Sequence, residues 1–310
     1  MIHVRSLDEI SLRESWLTIG VFDGVHRGHQ EILRRLTSGA HASGVPAAVV
    51  TFWPHPATVL GGGSVRCLTT AGERADLLSS LGVDAVVTHQ FDAATADTSA
   101  HDFVSRLHRR LEFRRLLIGY GFALGKGREG NSSRLAEIGR TLKYEVEIVP
   151  AVSDESGVVS STEIRKLVAT GDVAEAAKLL GHAYSLHGPV VRGDGRGRDL
   201  GYPTANIEVP QEKILPANGI YACWAWLDGQ RHIAAVNVGV RPQFHPDAHT
   251  PLVEAHILDL DRRFYGADMR LEFVHRLRDE MRFPSVPELV EQIRRDVQRT
   301  RELLAPEALR

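Results

Sequence analysis

Two histidines three residues apart mark the first candidate site. They lie in the segment TIGVFDGVHRGHQ, residues 18–30, where an apolar run predicts a buried strand ending at Phe22 and His26 and His29 stand where a helix begins. Three glycines allow close approach of a ligand to the backbone: Gly20, Gly24 and Gly28. A helix N-terminus favours phosphate, and two imidazoles at this spacing can flank one phosphate and donate hydrogen bonds to its developing charge. The pattern therefore predicts phosphoryl-type transfer, and the alternative is a generic turn with two exposed histidines.

A second group of polar residues lies far downstream, in SSTEIR at residues 160–165. Ser160, Ser161 and Thr162 stand at the predicted start of a helix, and Arg165 follows one turn later. Hydroxyls and a guanidinium so arranged can bind the β- and γ-phosphates of a nucleotide. The alternative is a simple helix N-cap.

The glycine-rich segment GDGRGRDLGYPTAN, residues 193–206, marks a third candidate site. Its alternating glycines (Gly193, Gly195 and Gly197) expose backbone N–H groups to a phosphate tail, with Arg196 and Arg198 as charge partners. Thr204 and Asn206 alternate on one strand face, so their oxygens can bind one Mg²⁺ ion. Taken without the PTAN that follows, the glycines are equally typical of a flexible hairpin.

Two kinds of element must position these residues. Strand-like and helix-like segments alternate over residues 16–180, which predicts a parallel sheet covered by helices. After Gly181, strand candidates follow one another with only turns between them, which predicts an antiparallel barrel or sandwich. A helix from about Val286 to Leu304 closes the chain, and the domain boundary falls near residues 181–184.

Composition narrows the class of protein. The chain has 310 residues, with 37 Lys and Arg against 39 Asp and Glu, so a general role on nucleic acids or membrane surfaces is disfavoured. Cys67 and Cys223 are the only cysteines and lie far apart, which favours a reducing, cytoplasmic location without disulfides or a zinc cluster. The longest nearly apolar run, Val45–Trp53, is much shorter than the ~20 residues of a membrane helix. The N-terminus lacks the apolar segment of a signal peptide.

These motifs together resemble the bacterial bifunctional riboflavin kinase/FMN adenylyltransferase family, the FAD synthetases. The resemblance rests on HxGH, on TFWPHP at residues 51–56, on SSTEIR and on the PTAN segment, and it covers nearly the whole chain. It implies a Rossmann-like α/β nucleotidyltransferase domain over residues 1–182. It also implies an antiparallel β-barrel riboflavin kinase domain with a terminal helix over residues 183–310. The implied reactions use ATP and Mg²⁺ to convert riboflavin to FMN and then FMN to FAD.

The resemblance also assigns roles to residues. His26 and His29 would stabilise the adenylyl transition state, and Glu254 would be the general base of the kinase. The adenylyltransferase would bind ATP through Gly20, Phe22, Asp23, Gly24, Ser160, Ser161, Thr162 and Arg165. The kinase would bind ATP through Gly193, Gly195, Gly197, Arg198 and Gly201, metal through Thr204 and Asn206, and flavin through Arg278, Asp279, Glu280 and Phe283. Without the family, the sequence favours an outward-facing surface position for Glu254, and residues 278–280 are equally a solvated charge cluster.

Two departures from the family pattern keep alternatives open. Residues 119–125 read GYGFALG, where Gly121 replaces the usual Asn or Asp and Ala123 a basic or polar residue. The first alternative is a riboflavin kinase whose nucleotidyltransferase domain is impaired or re-purposed, and the second is a flavin- or nucleotide-binding regulator without turnover. The expected partners are riboflavin, FMN and ATP, with no nucleic acid or membrane, and the protein is expected to be a monomer or weak homo-oligomer.

Overall fold

A computed structural model describes the chain except for residues 62, 155–156, 194–195, 243–248, 261, 263 and 309–310. The chain divides into two compact units, Met1–Ser161 and Thr162–Arg310. The predicted boundary after residue 182 assigns two further helices to the first catalytic domain, and that assignment stays a prediction.

The first unit is built on a six-stranded sheet in which all neighbouring strands are parallel. The strands are β1 (Ile2–Val4), β2 (Trp16–Ile19), β3 (Ala47–Trp53), β4 (Ala85–Gln90), β5 (Arg115–Gly119) and β6 (Glu145–Val149), in the order β1-β4-β3-β2-β5-β6. The helices are α1 (Arg27–Ala42), α2 (Pro56–Gly61), α3 (Ala71–Ser80), α4 (Ala93–Ala96), α5 (Ala100–Leu111) and α6 (Ser132–Leu142). The short strands β7 (Ser153–Asp154) and β8 (Gly157–Val158) form a separate hairpin. The predicted parallel α/β domain is confirmed.

The strand order reverses next to β2. The chain passes from β2 through β3 to β4 on one side and then places β5 on the other. In open parallel sheets, the crevice at the carboxyl ends of such a strand pair is where ligands bind. Buried side chains of α1 cover one face of the sheet and those of α5 the other, so the strands between them read as continuous apolar runs.

The end of β2 differs from the sequence prediction. The strand ends at Ile19 rather than at Phe22, and Phe22 has a left-handed backbone with φ of 52°. The Phe22 ring folds back over residue 20, where a Cβ would lie 2.9 Å from the ring. Apolar patterning could not distinguish this turn from strand because Phe22 is as buried as a strand residue. Strained backbone of this kind is concentrated at functional sites.

The second unit contains a closed antiparallel barrel. Its strands are β9 (Tyr184–Val191), β10 (Ala205–Ile207), β11 (Gly219–Leu227), β12 (Gln230–Pro242), β13 (His249–Ile257) and β14 (Asp268–Arg278), in the circular order β10-β13-β12-β11-β14-β9. Its helices are α7 (Ser161–Thr170, which begins at the last residue of the first unit), α8 (Val173–Leu180), α9 (Arg196–Asp199) and α10 (Val286–Ala308). The barrel and the terminal helix confirm the prediction.

Side chains along each barrel strand point alternately into the barrel and out of it, and this alternation decides which of them can contact a ligand. On β12, Ala234, Val236 and Val238 are buried in the barrel, whereas Ala235 and Asn237 lie on the opposite face. Helix α10 packs against that outer face of β11 and β12. The helix therefore forms one wall of a space whose other wall is the outside of the barrel.

Candidate active sites

A cavity of about 510 Å³ lies in the first unit at the carboxyl ends of β2 and β5. Four predicted site residues line it together: Gly20, Phe22, His26 and His29. The rest of the wall is largely apolar and includes Phe52, Phe91 and Phe103. The cavity thus combines two imidazoles with space suited to a planar aromatic ligand.

The two imidazoles stack on each other, with ring centroids 3.6 Å apart. Burial lowers the pKa of His26 from 6.5 to about 4, although Asp23 acts in the opposite direction. The pKa of His29 is also lowered, mainly by burial and further by His26 and Arg74. Both rings are therefore neutral at pH 7. Their Nδ1 atoms are buried and have no hydrogen-bond partner among the described residues.

Asp23 and Gly24 bind neighbouring protein groups and do not line this cavity. The Asp23 carboxylate is buried and accepts hydrogen bonds from the backbone N–H groups of Leu68 (3.1 Å) and Thr69 (3.0 Å). It also lies 3.9 Å from the fully buried guanidinium of Arg74, and the Gly24 N–H donates to Thr69 Oγ1. These bonds hold the turn that carries His26 in place.

Two of the three predicted phosphate-binding hydroxyls, those of Ser160 and Ser161, lie at the end of the first unit. Ser161 Oγ donates a hydrogen bond of 2.9 Å to the carbonyl oxygen of Asp23, and Ser160 follows Val159, which lines the cavity. The Ser160–Ser161 pair is thus anchored to the histidine turn. Thr162 and Arg165 lie on α7 in the second unit, and their part in this site stays a prediction.

The departure at Gly121 leaves the cavity wall intact. Gly121 has φ of 75°, lines the cavity, and has no heavy atom within 4 Å of where a Cβ would be. Ala123 lines the same wall. The Arg128 guanidinium donates a hydrogen bond of 3.2 Å to the Gly121 carbonyl oxygen. Arg128 is the only Lys or Arg among the described residues that line the cavity.

In the second unit, three polar residues stand side by side across neighbouring strands. Asn206 of β10 pairs directly with Glu254 of β13, and Glu254 pairs with Asn237 of β12. Directly opposed residues have Cβ atoms about 4.5–5.5 Å apart and share one face of the sheet. The register therefore aligns the predicted metal ligand Asn206 with the predicted base Glu254. Thr204, two residues before Asn206, lines the same cavity as Glu254.

The glycines of the PTAN segment lie where backbone packs against these side chains. A Cβ at residue 193 would overlap the Asn206 amide, and one at residue 197 would overlap the Tyr202 carbonyl oxygen. Gly193 and Gly197 are thus required for close approach of the loop to the strand. Gly195 and the side chain of Arg196 lie outside the described residues.

The face that carries Glu254 lines a cavity of about 500 Å³ closed on one side by α10. Arg278, Glu280 and Phe283, predicted to bind flavin, all line it. Asp279 does not, because its exposed carboxylate pairs with Arg276 at 2.9 Å. The cavity therefore brings the predicted base together with three of the four predicted flavin residues.

A second, more open cavity of about 720 Å³ lies next to this one in the barrel unit. Arg198 and Gly201, predicted to bind ATP, line it together with Pro203. His256 lines both cavities, and its Nδ1 is hydrogen-bonded to the Pro203 carbonyl oxygen at 2.9 Å. Two adjoining spaces on either side of His256 suit a reaction between two bound molecules.

Comparison with known proteins identifies the family of this chain. Residues 8–163 match the FAD synthetase family, and residues 180–304 match the riboflavin kinase family. The bifunctional riboflavin kinase/FMN adenylyltransferase of Listeria monocytogenes is 33% identical over 305 residues, covering 98% of this chain and 96% of its own. That of Escherichia coli K12 is 34% identical, covering 96% of each chain. The chain belongs to the bifunctional riboflavin kinase/FMN adenylyltransferase family.

The fold of this family member also matches a solved structure over almost its full length. A crystal structure of a Streptococcus pneumoniae protein named macrolide-efflux protein aligns with a TM-score of 0.87 and 30% identity, covering 97% of this chain and 98% of that one. The described residues of the present chain contain no helix long and apolar enough to cross a membrane.

Sequence reasoning missed three residues that line the cavities of this family member. Asn237 received no role from the sequence, because its place beside Glu254 follows from the strand register. Arg128 reaches the first cavity through a loop whose path no periodicity predicts. Asp296 lies in the middle of α10, where a lone acidic residue is typical of a solvent-exposed helix face, yet it is buried and lines the cavity under α10.

Proposed function

We propose that this chain transfers the γ-phosphoryl group of ATP to the 5′-hydroxyl of riboflavin, giving FMN and ADP. It then transfers the adenylyl group of a second ATP to FMN, giving FAD and pyrophosphate. The observation that carries the kinase assignment is the row Asn206–Glu254–Asn237 on one face of the barrel, where Glu254 and Asn237 line the cavity under α10. The family membership supports both activities together.

In the kinase, Glu254 acts as the general base. Riboflavin occupies the cavity under α10, and its 5′-hydroxyl gives its proton to the Glu254 carboxylate as the oxygen attacks the γ-phosphorus. ATP occupies the adjoining cavity lined by Arg198 and Gly201, so the two reactants meet beside His256. This arrangement explains why the base and the glycine-rich segment must share one strand pair.

Thr204 and Asn206 fit a magnesium ion by their chemistry. They supply a hydroxyl and an amide oxygen, which are hard neutral donors, and Mg²⁺ usually takes few protein ligands and completes its shell with phosphates and water. Among the described residues, no three His, Cys, Asp or Glu side chains form a metal-binding group, so a softer, all-protein site has no support there. The bound ion would neutralise charge on the triphosphate.

In the adenylyltransferase, His26 and His29 act as neutral hydrogen-bond donors. Each neutral imidazole carries one N–H, which can stabilise charge on the α-phosphoryl oxygens as the FMN phosphate attacks. Arg128 is the cation that contacts an anionic group of FMN in this otherwise apolar cavity. This role offsets the loss of a polar side chain at Gly121. No observation favours an impaired domain or a regulator without turnover.

Riboflavin, FMN and ATP are the partners that fit the family. The two buried free cysteines, Cys67 and Cys223, support a reducing compartment, and a cytoplasmic location stays a prediction, as does a monomeric or weakly oligomeric state.

Separate variants test the two activities. Purified protein is incubated with riboflavin, ATP and Mg²⁺, or with FMN, ATP and Mg²⁺, and the flavins are separated by liquid chromatography. Glu254→Gln is expected to slow FMN formation by about 10²–10⁴-fold and to leave FMN adenylylation unchanged. The double change His26→Gln/His29→Gln is expected to do the reverse. A wild-type protein that leaves riboflavin unmodified contradicts the kinase assignment, and one that leaves FMN unmodified contradicts the adenylyltransferase assignment.

A further inference from the structure

The cavity under α10, where the proposed kinase binds riboflavin, contains an ion pair that neither the motifs nor the general-base mechanism uses. The guanidinium of Arg278 and the carboxylate of Asp296 both line the cavity beside Glu254. Arg278 Nε lies 3.0 and 3.1 Å from the two Asp296 oxygens, and Nη2 lies 2.6 Å from Oδ2. The side chains are only 17% and 9% exposed. The contact is bidentate and largely buried, which is the strongest geometry that an arginine and a carboxylate can adopt.

Asp296 is itself held in place. Gln292 Nε2 donates a hydrogen bond of 2.9 Å to Asp296 Oδ1, and Thr300 Oγ1 donates one of 2.8 Å to its carbonyl oxygen. All three residues lie on α10, so the carboxylate is fixed on a helix that forms the cavity wall. Arg278 is the last residue of β14, on the facing wall. The pair therefore links the two walls of the cavity.

Arg278 keeps N–H groups that can bind a ligand. A guanidinium has five N–H groups. Arg278 uses its Nε–H and one Nη2–H on Asp296, and one Nη1–H on the carbonyl oxygen of Asp279 at 2.9 Å. Among the described residues, no group accepts from the remaining N–H on each terminal nitrogen, and both belong to one planar group. Two N–H groups so arranged can donate hydrogen bonds to the carbonyl and ring-nitrogen acceptors at the edge of a planar heteroaromatic ring.

The charges around Arg278 explain why it needs a fixed partner. It is the only Lys or Arg among the described residues lining this cavity, whereas Glu254 and Glu280 are carboxylates of the same lining. A loosely held guanidinium would pair with either of them. Asp296 removes that competition because its bidentate contact satisfies one side of the guanidinium.

We propose that Asp296 is a positioning residue for flavin recognition, holding Arg278 so that its two remaining N–H groups meet the acceptor edge of the isoalloxazine ring. This inference rests on the proposed riboflavin kinase activity. Asp296 acts through Arg278 and does not itself touch the reacting atoms. Its loss therefore affects flavin binding more than phosphoryl transfer.

A double-mutant cycle on the full-length protein tests the proposal. Asp296→Asn, Arg278→Ala and the double variant are compared by the KM for riboflavin, the kcat of FMN formation and the Kd for riboflavin from flavin fluorescence. Losing a hydrogen bond to a charged group is expected to raise KM and Kd roughly 10- to 100-fold in each single variant. The kcat is expected to change less than about threefold, because Glu254 is intact. The double variant is expected to match Arg278→Ala alone, since Asp296 acts only through that side chain.

The controls separate positioning from folding. Glu291→Gln on the same helix removes exposed pairs with Arg294 and Arg295 and is expected to leave KM unchanged. The double variant leaves no unpaired buried charge, so it keeps the test valid if Asp296→Asn alone does not fold. Three results would each overturn the proposal. The first is a KM in the double variant equal to the product of the two single effects. The second is a wild-type KM in Arg278→Ala, and the third is a loss confined to kcat. A wild-type protein without kinase activity would instead refute the proposed function.

Discussion

Acidification should destabilise the first unit through His26. Burial lowers the pKa of this imidazole from 6.5 to about 4. Between those values the unfolded chain binds a proton that the folded chain does not, so stability falls as pH falls. The contribution of His26 to the free energy of unfolding is therefore complete above about pH 6.5 and is lost as the pH approaches 4. For a shift from pH 7 to pH 5, linkage with these two values gives a loss of about 2 kcal/mol.

Two measurements check this loss. In an NMR titration, the imidazole resonance that disappears in His26→Gln is expected to stay constant from pH 7 to pH 5. In urea unfolding at both pH values, wild-type protein is expected to lose about 2 kcal/mol more than His26→Gln. His101→Gln is a matched control, because the His101 side chain is 52% exposed, and it is expected to lose as much stability as wild type. An imidazole resonance that titrates near pH 6.5, or equal losses in wild type and His26→Gln, would refute the reasoning.

Three substitutions test the packing that positions the first site. Gly39→Ala in α1 is expected to destabilise the protein by about 1–3 kcal/mol, because the new Cβ would overlap the Trp16 ring, as urea unfolding would reveal. In α3, the Cβ of Gly72→Ala would meet no described atom within 4 Å, and alanine favours a helix more than glycine does. This change is expected to raise the free energy of unfolding by about 0.5–1 kcal/mol in the same assay. A decrease would contradict the argument from helix propensity. Arg74→Leu is expected to lower the free energy of unfolding by about 3–5 kcal/mol, because it leaves the Asp23 carboxylate buried beside an apolar side chain. A loss below about 1 kcal/mol would mean that the backbone donors alone satisfy Asp23.

Much of the fold and part of each site could be predicted from local pattern. Alternating apolar strands and helices require a parallel sheet with both faces covered, and consecutive strands with turns require an antiparallel one. The positions of His26 and His29 at a helix start follow from the strand, glycine turn and helix around them. The separation of Thr204 and Asn206 by two residues predicts one shared strand face, but β10 begins at Ala205 and Thr204 lies just before it, so their joint metal site stays a prediction.

Other features depend on contacts between residues distant in the chain. The pairing of Glu254 with Asn206 and Asn237 is a matter of strand register in a closed barrel, and a slip of one residue would turn Glu254 to the other face. The pKa of His26 depends on burial, which short-range pattern does not measure. Asp296 reaches Arg278 only because α10 packs on the barrel. Sequence alone thus determined the types of element and the kinds of chemistry, since both depend on neighbouring residues. Tertiary structure alone decided which side chains share a cavity, because that depends on how strands pair and helices pack.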